Sequence, residues 1–313
     1  MKGLELSRAF YREYGEPMLR EKFPELIPFL AVGLTGSGSE CYGFDDEVSQ
    51  DHDFEPGFCI FVPGEEVVGR KAAFALERAY AALPREFMGL KRSLVSPTGG
   101  ARHGVLRMAD FMKEKTGTAD GNLSLWQWLS VPEYALAEAV NGEIFADPYG
   151  ELTGIRERLR NRPRDIRIKK LAGQLLLMAQ SGQYNYGRCL RHGETAAAQL
   201  AVMEFVKSTM AAVFLLNDVY QPYYKWSFRA MRALPRLALT AELLEYLMTT
   251  DNEEETREEK SKVIEGIASD VIGELRAQGL TRASGGELEA HAYSVHDKVA
   301  DVELRNMHIL AAV

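Results

Sequence analysis

Two aspartates, Asp51 and Asp53, stand two positions apart and shortly before an apolar run at residues 58–62. If the pair lies on a strand that leads into this run, both carboxylates leave the same face, because side chains alternate along a strand. Two carboxylates on one face can share a divalent cation, and Mg²⁺ or Mn²⁺ prefers such oxygen ligands. The spacing therefore predicts a metal site at Asp51 and Asp53.

A turn of small residues, Gly-Ser-Gly-Ser at positions 36–39, follows an apolar run at residues 29–34. Glycines at the end of a strand let backbone N–H groups approach phosphate oxygens with no side chain in the way. Only a short stretch of chain separates this turn from the aspartate pair. Together the two features predict a site for a metal ion and a phosphate group.

A Gly-Ser turn followed by a D-x-D pair on the next strand resembles the signature of the DNA polymerase β-like nucleotidyltransferase superfamily. Gly38 and Ser39 match its Gly-Ser pair, and Asp51 and Asp53 match its catalytic metal carboxylates. Ser49 matches the serine that often stands two residues before the first of them. The fuller string G-S-x-x-x-G-F-D-D-x-x-S-x-D-H-D resembles a family described as domain of unknown function 4037, over most of the chain from residues 6–10 onward.

The resemblance implies a reaction in which an acceptor hydroxyl attacks the α-phosphate of a nucleoside triphosphate and pyrophosphate leaves. Asp51 and Asp53 would hold one or two Mg²⁺ ions, while Gly38 and Ser39 would cradle the β- and γ-phosphates. The base, as in ATP or GTP, and the acceptor stay open: a small molecule, a protein side chain, an RNA end or a second nucleotide. A nucleotide-binding or sensing protein of the same fold that no longer catalyses is the alternative.

The superfamily pattern usually adds a third carboxylate from a later strand, and here the sequence departs from it. The strand expected at residues 104–108 carries Arg107 and no acid. Asp110, just beyond it, is the nearest candidate, although it could instead cap a helix. Glu194 and Glu204, on a later helix, are further candidates for a general base. The missing acid supports the non-catalytic alternative, whereas the retained aspartate pair favours an enzyme.

The length and charge of the chain limit its expected domain number and the kinds of partner that it is expected to bind. The chain has 313 residues and a formal net charge of −8, and its length allows one large or two modest domains, of which we favour two. A dedicated DNA-binding protein normally carries a basic surface that neutralises phosphates. The acidic balance therefore argues against DNA as the acceptor.

The three cysteines, Cys41, Cys59 and Cys189, are scattered and show no C-x-x-C spacing. This pattern indicates neither a disulfide framework nor a zinc site. The chain opens with no signal-peptide pattern, and no apolar run approaches the roughly 18 residues that a membrane-spanning helix needs. We therefore expect a soluble cytoplasmic protein with no membrane partner.

Hydrophobic periodicity predicts an α+β fold with two domains. The first, at residues 1–117, is expected to be a nucleotidyltransferase-like catalytic domain with a small mixed sheet and helices. Its expected elements are helices at residues 4–16, 17–23 and 65–83, and strands at 29–34, 58–62, 87–94 and 104–108.

The rest of the chain, residues 118–313, is expected to be an all-α helical bundle. In the superfamily that it resembles, such a bundle forms the other wall of the cleft, which implies a role in holding substrate. The longest expected helices are at residues 168–181, 194–219, 237–249 and 256–278.

Two segments of the bundle combine aromatic and cationic residues. Residues 184–188, Y-N-Y-G-R, are expected to join two helices at a glycine hinge, and residues 220–226, Y-Q-P-Y-Y-K-W, surround one lysine with rings. Arg188, Lys225 and Tyr223 are therefore predicted to contact the nucleotide, the two cations through its phosphates. Packing between helices is the alternative for the aromatic residues.

Three other features are expected to be structural. The dense basic run at residues 156–167 is expected to be a solvated face, although it could also hold an anion. Trp126 and Trp128 are expected to pack in a core between the domains. His52 lies between the two aspartates, so alternation along a strand turns it to the opposite face, away from the metal.

Overall fold

A computed structural model describes residues 1–48, 54–92 and 102–313. The chain divides into two compact units. The first comprises Met1–Gln127 and Val131–Asn161, and the second comprises Trp128–Ser130 and Arg162–Val313.

The first unit is built on a four-stranded mixed sheet with the strand order β5-β2-β1-β6, beside a separate hairpin of β3 and β4. The strand β2 pairs antiparallel with β1 and parallel with β5, and β6 pairs antiparallel with β1. The strands are β1 (Ala31–Leu34), β2 (Cys59–Val62), β3 (Glu86–Phe87), β4 (Leu90–Lys91), β5 (Gly104–Arg107) and β6 (Glu143–Ala146).

The register brings three chain segments to one end of this sheet. Cys59, which opens β2, lies opposite both Gly33 near the end of β1 and Gly104 at the start of β5. The turn that leaves β1 and the segments that enter β2 and β5 therefore lie at the same end. This is the arrangement that the predicted metal and phosphate site requires.

Helices cover both faces of the sheet. Phe58, Ile60 and Val62 belong to a buried cluster that also contains Phe10 and Leu76 from the helices on one side. The intervening Phe61 contacts Phe111 on the other side, with ring centroids 5.2 Å apart, as alternation along a strand requires. The helices of this unit are α1 (Gly3–Phe10), α2 (Glu16–Lys22), α3 (Arg70–Ala81), α4 (Met108–Thr116), α5 (Leu125–Ser130, whose last three residues belong to the second unit), α6 (Glu133–Val140) and α7 (Glu151–Arg160).

The expected strand at residues 87–94 is wrong where the structure describes it. In its place β3 and β4 form a hairpin closed by Met88 and Gly89, which both have positive φ values of 51° and 79°. Two successive positive φ values are typical of the tight turn that joins antiparallel strands. The other three expected strands and the two N-terminal helices are present, with a π-helical turn, Tyr11–Gly15, between α1 and α2.

The first unit extends well beyond the boundary expected at residue 117. The strand β6 pairs with β1, placing Ala146 opposite Val32 and Glu143 opposite Leu34. Because β6 completes one edge of the sheet, the helices on either side of it, α6 and α7, belong to the first unit as well. A late strand that pairs with an early one thus moves the observed boundary to Asn161.

The elements of the second unit are helices, so the α+β class expected from the sequence is confirmed for the chain. The helix α8 packs against α10 and α14 and forms the centre of this unit. The helices are α8 (Arg164–Met178), α9 (Gly187–Arg191), α10 (Thr195–Leu216), α11 (Tyr224–Met231), α12 (Thr240–Thr249), α13 (Glu254–Ala277), α14 (Leu288–His296) and α15 (Val302–Asn306).

The expectation that no apolar run reaches the length of a membrane span is wrong for α10. By length and composition, Thr195–Leu216 could cross a membrane, with a mean hydropathy of 1.5 over its best window. Its position explains the composition, because 61% of that window is buried inside the protein. Such burial is typical of a core helix in a soluble protein.

Candidate functional site

The Gly-Ser turn leaves the carboxyl end of β1 and leads into one 3-10 turn, Ser39–Tyr42. Gly36 has a φ of +129°, which L-amino acids with side chains rarely adopt, so a glycine is required here. A Cβ atom on Gly38 would lie 2.0 Å from the carboxylate of Glu40, which folds back over it. Small residues at both positions therefore let the chain turn while an acidic group lies against it.

Asn141, the residue that ends α6, holds this turn through its side-chain amide. Its Oδ1 accepts a hydrogen bond of 2.9 Å from the N–H of Gly36, and its Nδ2 donates one of 2.7 Å to the carbonyl of the same glycine. The hydroxyl of Thr35 lies 2.9 Å from the carbonyl oxygen of Glu138, in the last turn of α6. The start of the turn is thus fixed by a segment about a hundred residues later in the chain.

The next N–H groups of the turn lack an acceptor within the described ranges. Among the hydrogen bonds between described residues, none uses the backbone N–H of Ser37, Gly38 or Ser39 as a donor. Successive backbone N–H groups in a tight turn form a concave site for an anion. This part of the structure therefore fits the predicted contact with phosphate oxygens.

A cavity of about 400 Å³ adjoins the turn, and the residues that line it are predominantly polar. Gly36, Ser37 and Gly38 form one wall. The opposite walls carry charged side chains from α3, from α4 and from the segment that enters β5, namely Glu77, Asp110, Glu114, Lys115 and Arg102. The volume falls within the range of small-ligand sites.

Two of the basic residues around this cavity are engaged within the protein. Arg107 donates through Nη1 to the carbonyl oxygens of Pro63 and Val68, at 2.6 and 2.7 Å. Lys115 Nζ lies 2.7 Å from Glu138 Oε2. Burial lowers the pKa of Lys115, but its hydrogen bond and charge interaction with Glu138 outweigh burial and raise it. Lys115 therefore stays charged at neutral pH, and both cations bind groups of the first unit.

The cysteines at this end of the sheet are not reactive. Burial raises the pKa of Cys59 to about 12, and its Sγ lies 3.2 Å from the carbonyl oxygen of Arg102. Burial also raises the pKa of Cys41 well above its usual value. Both thiols are therefore protonated at neutral pH, which excludes a thiolate nucleophile at these two positions.

The central residues of the predicted site, Ser49, Asp51 and Asp53, lie outside the described residues, as does His52. Within the described ranges no group of three or more histidine, cysteine, aspartate or glutamate side chains could hold a metal ion. The predicted metal site thus stays a prediction. Asp110 and Glu114 place two carboxylates in the cavity wall, and carboxylates are the kind of group that Mg²⁺ prefers.

Asp110 lies in the first turn of α4 and lines the same cavity as Gly38. The alternative in which it caps a helix is wrong, because α4 is preceded by Arg107 at its N-cap position. Asp110 is therefore an exposed acid that faces the cavity, as its predicted role requires.

Arg188, in the second unit, does not lie at a hinge between helices. The segment that was expected to break there continues from α8 through a π-helical stretch, Ala179–Tyr186, into α9, and Gly187 has ordinary right-handed helical angles. The exposed Arg188 donates through Nη1 to the hydroxyl of Tyr184 at 2.7 Å. Its guanidinium group lies 5.4 Å from the centre of the Tyr184 ring.

Lys225 and its aromatic neighbours lie at the start of α11. Its Nζ is 5.0 Å from the centre of the Trp226 ring. Tyr223 and Tyr224 are 45% and 74% exposed, with ring centroids 4.4 Å apart. Packing between helices therefore does not explain these two tyrosines. The predicted contacts of Arg188, Lys225 and Tyr223 with a nucleotide stay predictions.

The candidate bases of the second unit lie on α10. Glu194 is exposed at the N-cap position, where its side chain makes no capping hydrogen bond. Glu204 lies 3.7 Å from the ammonium group of Lys207 on the same helix. Their predicted part in catalysis stays a prediction.

Arg156 overturns the expectation that the basic run is a solvated face. It is only 2% exposed, and its Nη2 donates to the carbonyl oxygens of Val140 and Asn141. Burial lowers the pKa of its guanidinium group to about 10. The expected core packing of the two tryptophans is likewise wrong for Trp126, which is 58% exposed, whereas Trp128 is buried.

The residues that hold the turn were missed in the sequence. Asn141 and Gly142 form a dipeptide that is typical of a turn, and this pattern indicates nothing about a partner in β1. Arg156 stands among other charged residues on α7, and Glu138 stands among small and apolar residues on α6. Only their positions relative to β1 in the folded chain distinguish them.

A protein-family model described as Domain of unknown function (DUF4037) matches residues 128–227. The predicted resemblance to this family is therefore confirmed over that stretch. The place of the chain in the polymerase β-like superfamily stays a prediction. Comparison with curated proteins and with solved structures gives no match.

Proposed function

We propose that this chain, which resembles the DUF4037 family over residues 128–227, is a metal-dependent nucleotidyltransferase of the polymerase β-like type. In the proposed reaction, a nucleoside monophosphate passes from a nucleoside triphosphate to an acceptor hydroxyl and pyrophosphate leaves. The observation that carries this proposal is the Gly-Ser turn, whose open N–H groups adjoin a cavity of about 400 Å³ with acidic residues in its walls. We expect this enzyme to act in the cytoplasm.

The first unit supplies the groups that would bind the triphosphate. The N–H groups of Gly38 and Ser39 would donate to oxygens of the β- and γ-phosphates. Ser49 is a further predicted nucleotide-binding residue. Asp51 and Asp53 precede β2 in the sequence, and they would hold Mg²⁺ or Mn²⁺. Such an ion polarises the α-phosphate and neutralises charge on the leaving group.

The proton of the acceptor hydroxyl needs a base. Asp110 is the first choice because it is exposed and lines the cavity beside Gly38. As a carboxylate it would accept the proton while the acceptor oxygen attacks the α-phosphate. Glu194 and Glu204 are the further candidates, from the second unit.

The second unit would add contacts to the same ligand. Arg188 and Lys225 are exposed cations beside aromatic rings, and each can donate to phosphate oxygens. Tyr223 has an exposed ring on which a base can stack. The acceptor in this proposal is a small molecule, a protein or an RNA end.

Replacement of Asp51 or Asp53 by Asn tests the proposal. Two neighbouring carboxylates repel one another without a cation, so neutralising one should leave the melting temperature unchanged or slightly higher. Each change should abolish Mg²⁺-dependent binding of ATP and GTP, measured by calorimetry. Asp270→Asn, at an exposed position of α13, is the matched control.

The opposite pattern would overturn the proposal. If Asp51→Asn or Asp53→Asn lowers the melting temperature by many degrees while the affinity for the triphosphates is unaltered, the two aspartates are structural.

A further inference from the structure

We infer that Asn141 is a positioning residue that holds the phosphate-binding turn in its binding conformation, and that buried Arg156 in turn positions Asn141. This inference deepens the proposed function and rests on it, because it assigns the turn to phosphate. Asn141 contacts the turn that leaves β1, although it stands about a hundred positions later in the sequence.

The amide of Asn141 fits the backbone of Gly36 on both sides. It accepts from the Gly36 N–H at 2.9 Å and donates to the Gly36 carbonyl at 2.7 Å, while the hydroxyl of Thr35 lies 3.0 Å from its Oδ1. Only a side chain that offers an acceptor and a donor a short distance apart can do both. An aspartate lacks the donor, and an apolar residue lacks both.

The next residue, Gly142, holds the other end of the turn. Its N–H donates to the carbonyl of Cys41 at 2.8 Å. Gly142 has a φ of +62°, and a Cβ atom there would lie 2.0 Å from the carbonyl oxygen of Leu34. The Asn-Gly pair thus bonds both ends of the turn and approaches β1 more closely than any residue with a side chain could.

Arg156 fixes the segment that carries Asn141. Its Nη2 donates to the carbonyl oxygens of Val140 and Asn141, and Arg160 donates to that of Val140 at 2.8 Å. With only 2% of Arg156 exposed, these bonds are shielded from water, and hydrogen bonds of a charged donor are stronger than neutral ones. The end of α6 is therefore held in place by charged donors that bind its last carbonyl groups.

Together these contacts explain how the open N–H groups keep their direction. Gly36 has a backbone conformation with few restraints of its own, and no atom of a described residue lies within 4 Å of the position that a Cβ atom would take there. Its bonds to Asn141 replace the missing restraint. Groups that are fixed before a ligand binds need no reorganisation when it does, which strengthens binding.

Three variants test this inference: Asn141→Ala removes all the amide contacts, Asn141→Asp removes only the donor, and Asn122→Ala is the control. Asn122 lies in the same unit, and its side chain bonds to Asp120 and to no other residue that the structure describes. ATP, GTP, adenosine and guanosine are titrated against each protein at fixed Mg²⁺ and salt. We expect Asn141→Ala to weaken triphosphate binding about 10- to 100-fold. Asn141→Asp should weaken it at least as much, because its negative charge would face the Gly36 carbonyl and repel the triphosphate, and Asn122→Ala should change nothing.

Hydrogen exchange in the absence of nucleotide gives the second readout. In Asn141→Ala the amide of Gly36 should exchange roughly tenfold faster, because it loses its acceptor, while amides in the core strand β2 keep their protection. Equal weakening for nucleosides and triphosphates, with faster exchange throughout the unit, would mean that Asn141 is merely structural and would overturn the inference. Unchanged exchange at Gly36 would overturn it too.

The two proposals fail in different ways. If the wild-type protein binds neither ATP nor GTP, the proposed function is wrong, and with it the assignment of the turn to phosphate. If the wild type binds them and Asn141→Ala binds them equally well, the proposed function stands and the positioning role is wrong.

Discussion

Each of the two units buries a cation that has no carboxylate partner among the described residues, but this cation serves a different purpose in each unit. In the first unit Arg156 binds the carbonyl groups at the end of α6, beside the residue that holds the Gly-Ser turn. In the second unit Lys169 donates to the carbonyl of Met307 at 2.7 Å and lies 2.7 Å from Nε2 of His296. Burial lowers the pKa of both cations.

The difference lies in what each cation supports. Arg156 supports a loop that has open donors and a cavity, whereas Lys169 joins α8 to α14 and to the C-terminal segment of the bundle. Neutral acceptors satisfy part of a buried cation's hydrogen-bonding capacity at a cost in desolvation. In the first unit the buried cation stabilises a candidate site, and in the second it stabilises the packing of the helices. Changes in the first unit should therefore affect ligand binding, and changes at Lys169 should affect stability alone.

The largest effect is expected from Gly142→Ala, which breaks the support of the turn. The new methyl group would lie 2.0 Å from the carbonyl oxygen of Leu34 at a left-handed φ of +62°. Strain and overlap together should lower the free energy of unfolding by about 3 kcal/mol, measured by urea denaturation. Gly150→Ala is the control, because Gly150 is also left-handed but has open space around it, and should cost about 1 kcal/mol. Equal costs would show that the close approach to β1 has no consequence.

The next effect concerns the exposed cations of the second unit and whether that unit takes part in binding. Arg188→Met and Lys225→Met should each weaken binding of ATP about tenfold, by loss of a charge-assisted hydrogen bond to phosphate. Adenosine should bind as before, and Lys262→Met, at an exposed position of α13, serves as the control. Equal losses for ATP, AMP and adenosine would assign packing roles to the two side chains. Unchanged binding of all three would confine the nucleotide site to the first unit.

The smallest effect is expected from Lys169→Met, and it depends on pH. Because the pKa of Lys169 is lower in the folded state than the usual 10.5, the unfolded chain binds more protons between the two values. The free energy of unfolding of the wild type should therefore rise with pH up to about 10.5, and Lys169→Met should lack this contribution. The free energy of unfolding of Lys169→Met relative to that of the wild type should therefore fall over this range of pH.

Urea denaturation at several pH values from 7.5 to 10.5 measures this difference, with Lys262→Met as the exposed control. A difference between wild type and Lys169→Met that does not change with pH would contradict the assigned cause. A large loss of ATP affinity in Lys169→Met would contradict the distinction between the two units.

The parts of the fold that follow from local pattern could be predicted from the sequence. Apolar runs bounded by turn residues predicted β1 and β2, and the long periodic segments predicted α10 and α13. The strand β6 could not be predicted, because it has four residues between two turn signals and is stabilised by pairing with β1. Its position decides the domain boundary, which was therefore expected too early.

Some residues of the candidate site could likewise be predicted from local pattern, and others could not. Gly38 and Asp110 were predicted from small or acidic residues near strand ends, and both line the cavity. Asn141 and Arg156 were not, because their importance comes from contacts with backbone groups distant in sequence. The sequence does not show that a charged residue in a basic run is buried, because its burial depends on carbonyl groups elsewhere in the chain that accept its hydrogen bonds. Long-range backbone contacts are thus the part that one sequence does not reveal.

Transfer of labelled phosphate tests the central claim most directly. The wild-type protein and Asp51→Asn are incubated with Mg²⁺ and cell lysate, once with ATP and GTP labelled at the α-phosphate and once with both labelled at the γ-phosphate. Our account predicts that the wild type moves the α-label onto a small molecule, a protein or RNA, that the γ-label appears in pyrophosphate, and that Asp51→Asn does neither. Transfer of the γ-label to an acceptor, or bound triphosphate recovered intact with no transfer, would contradict it.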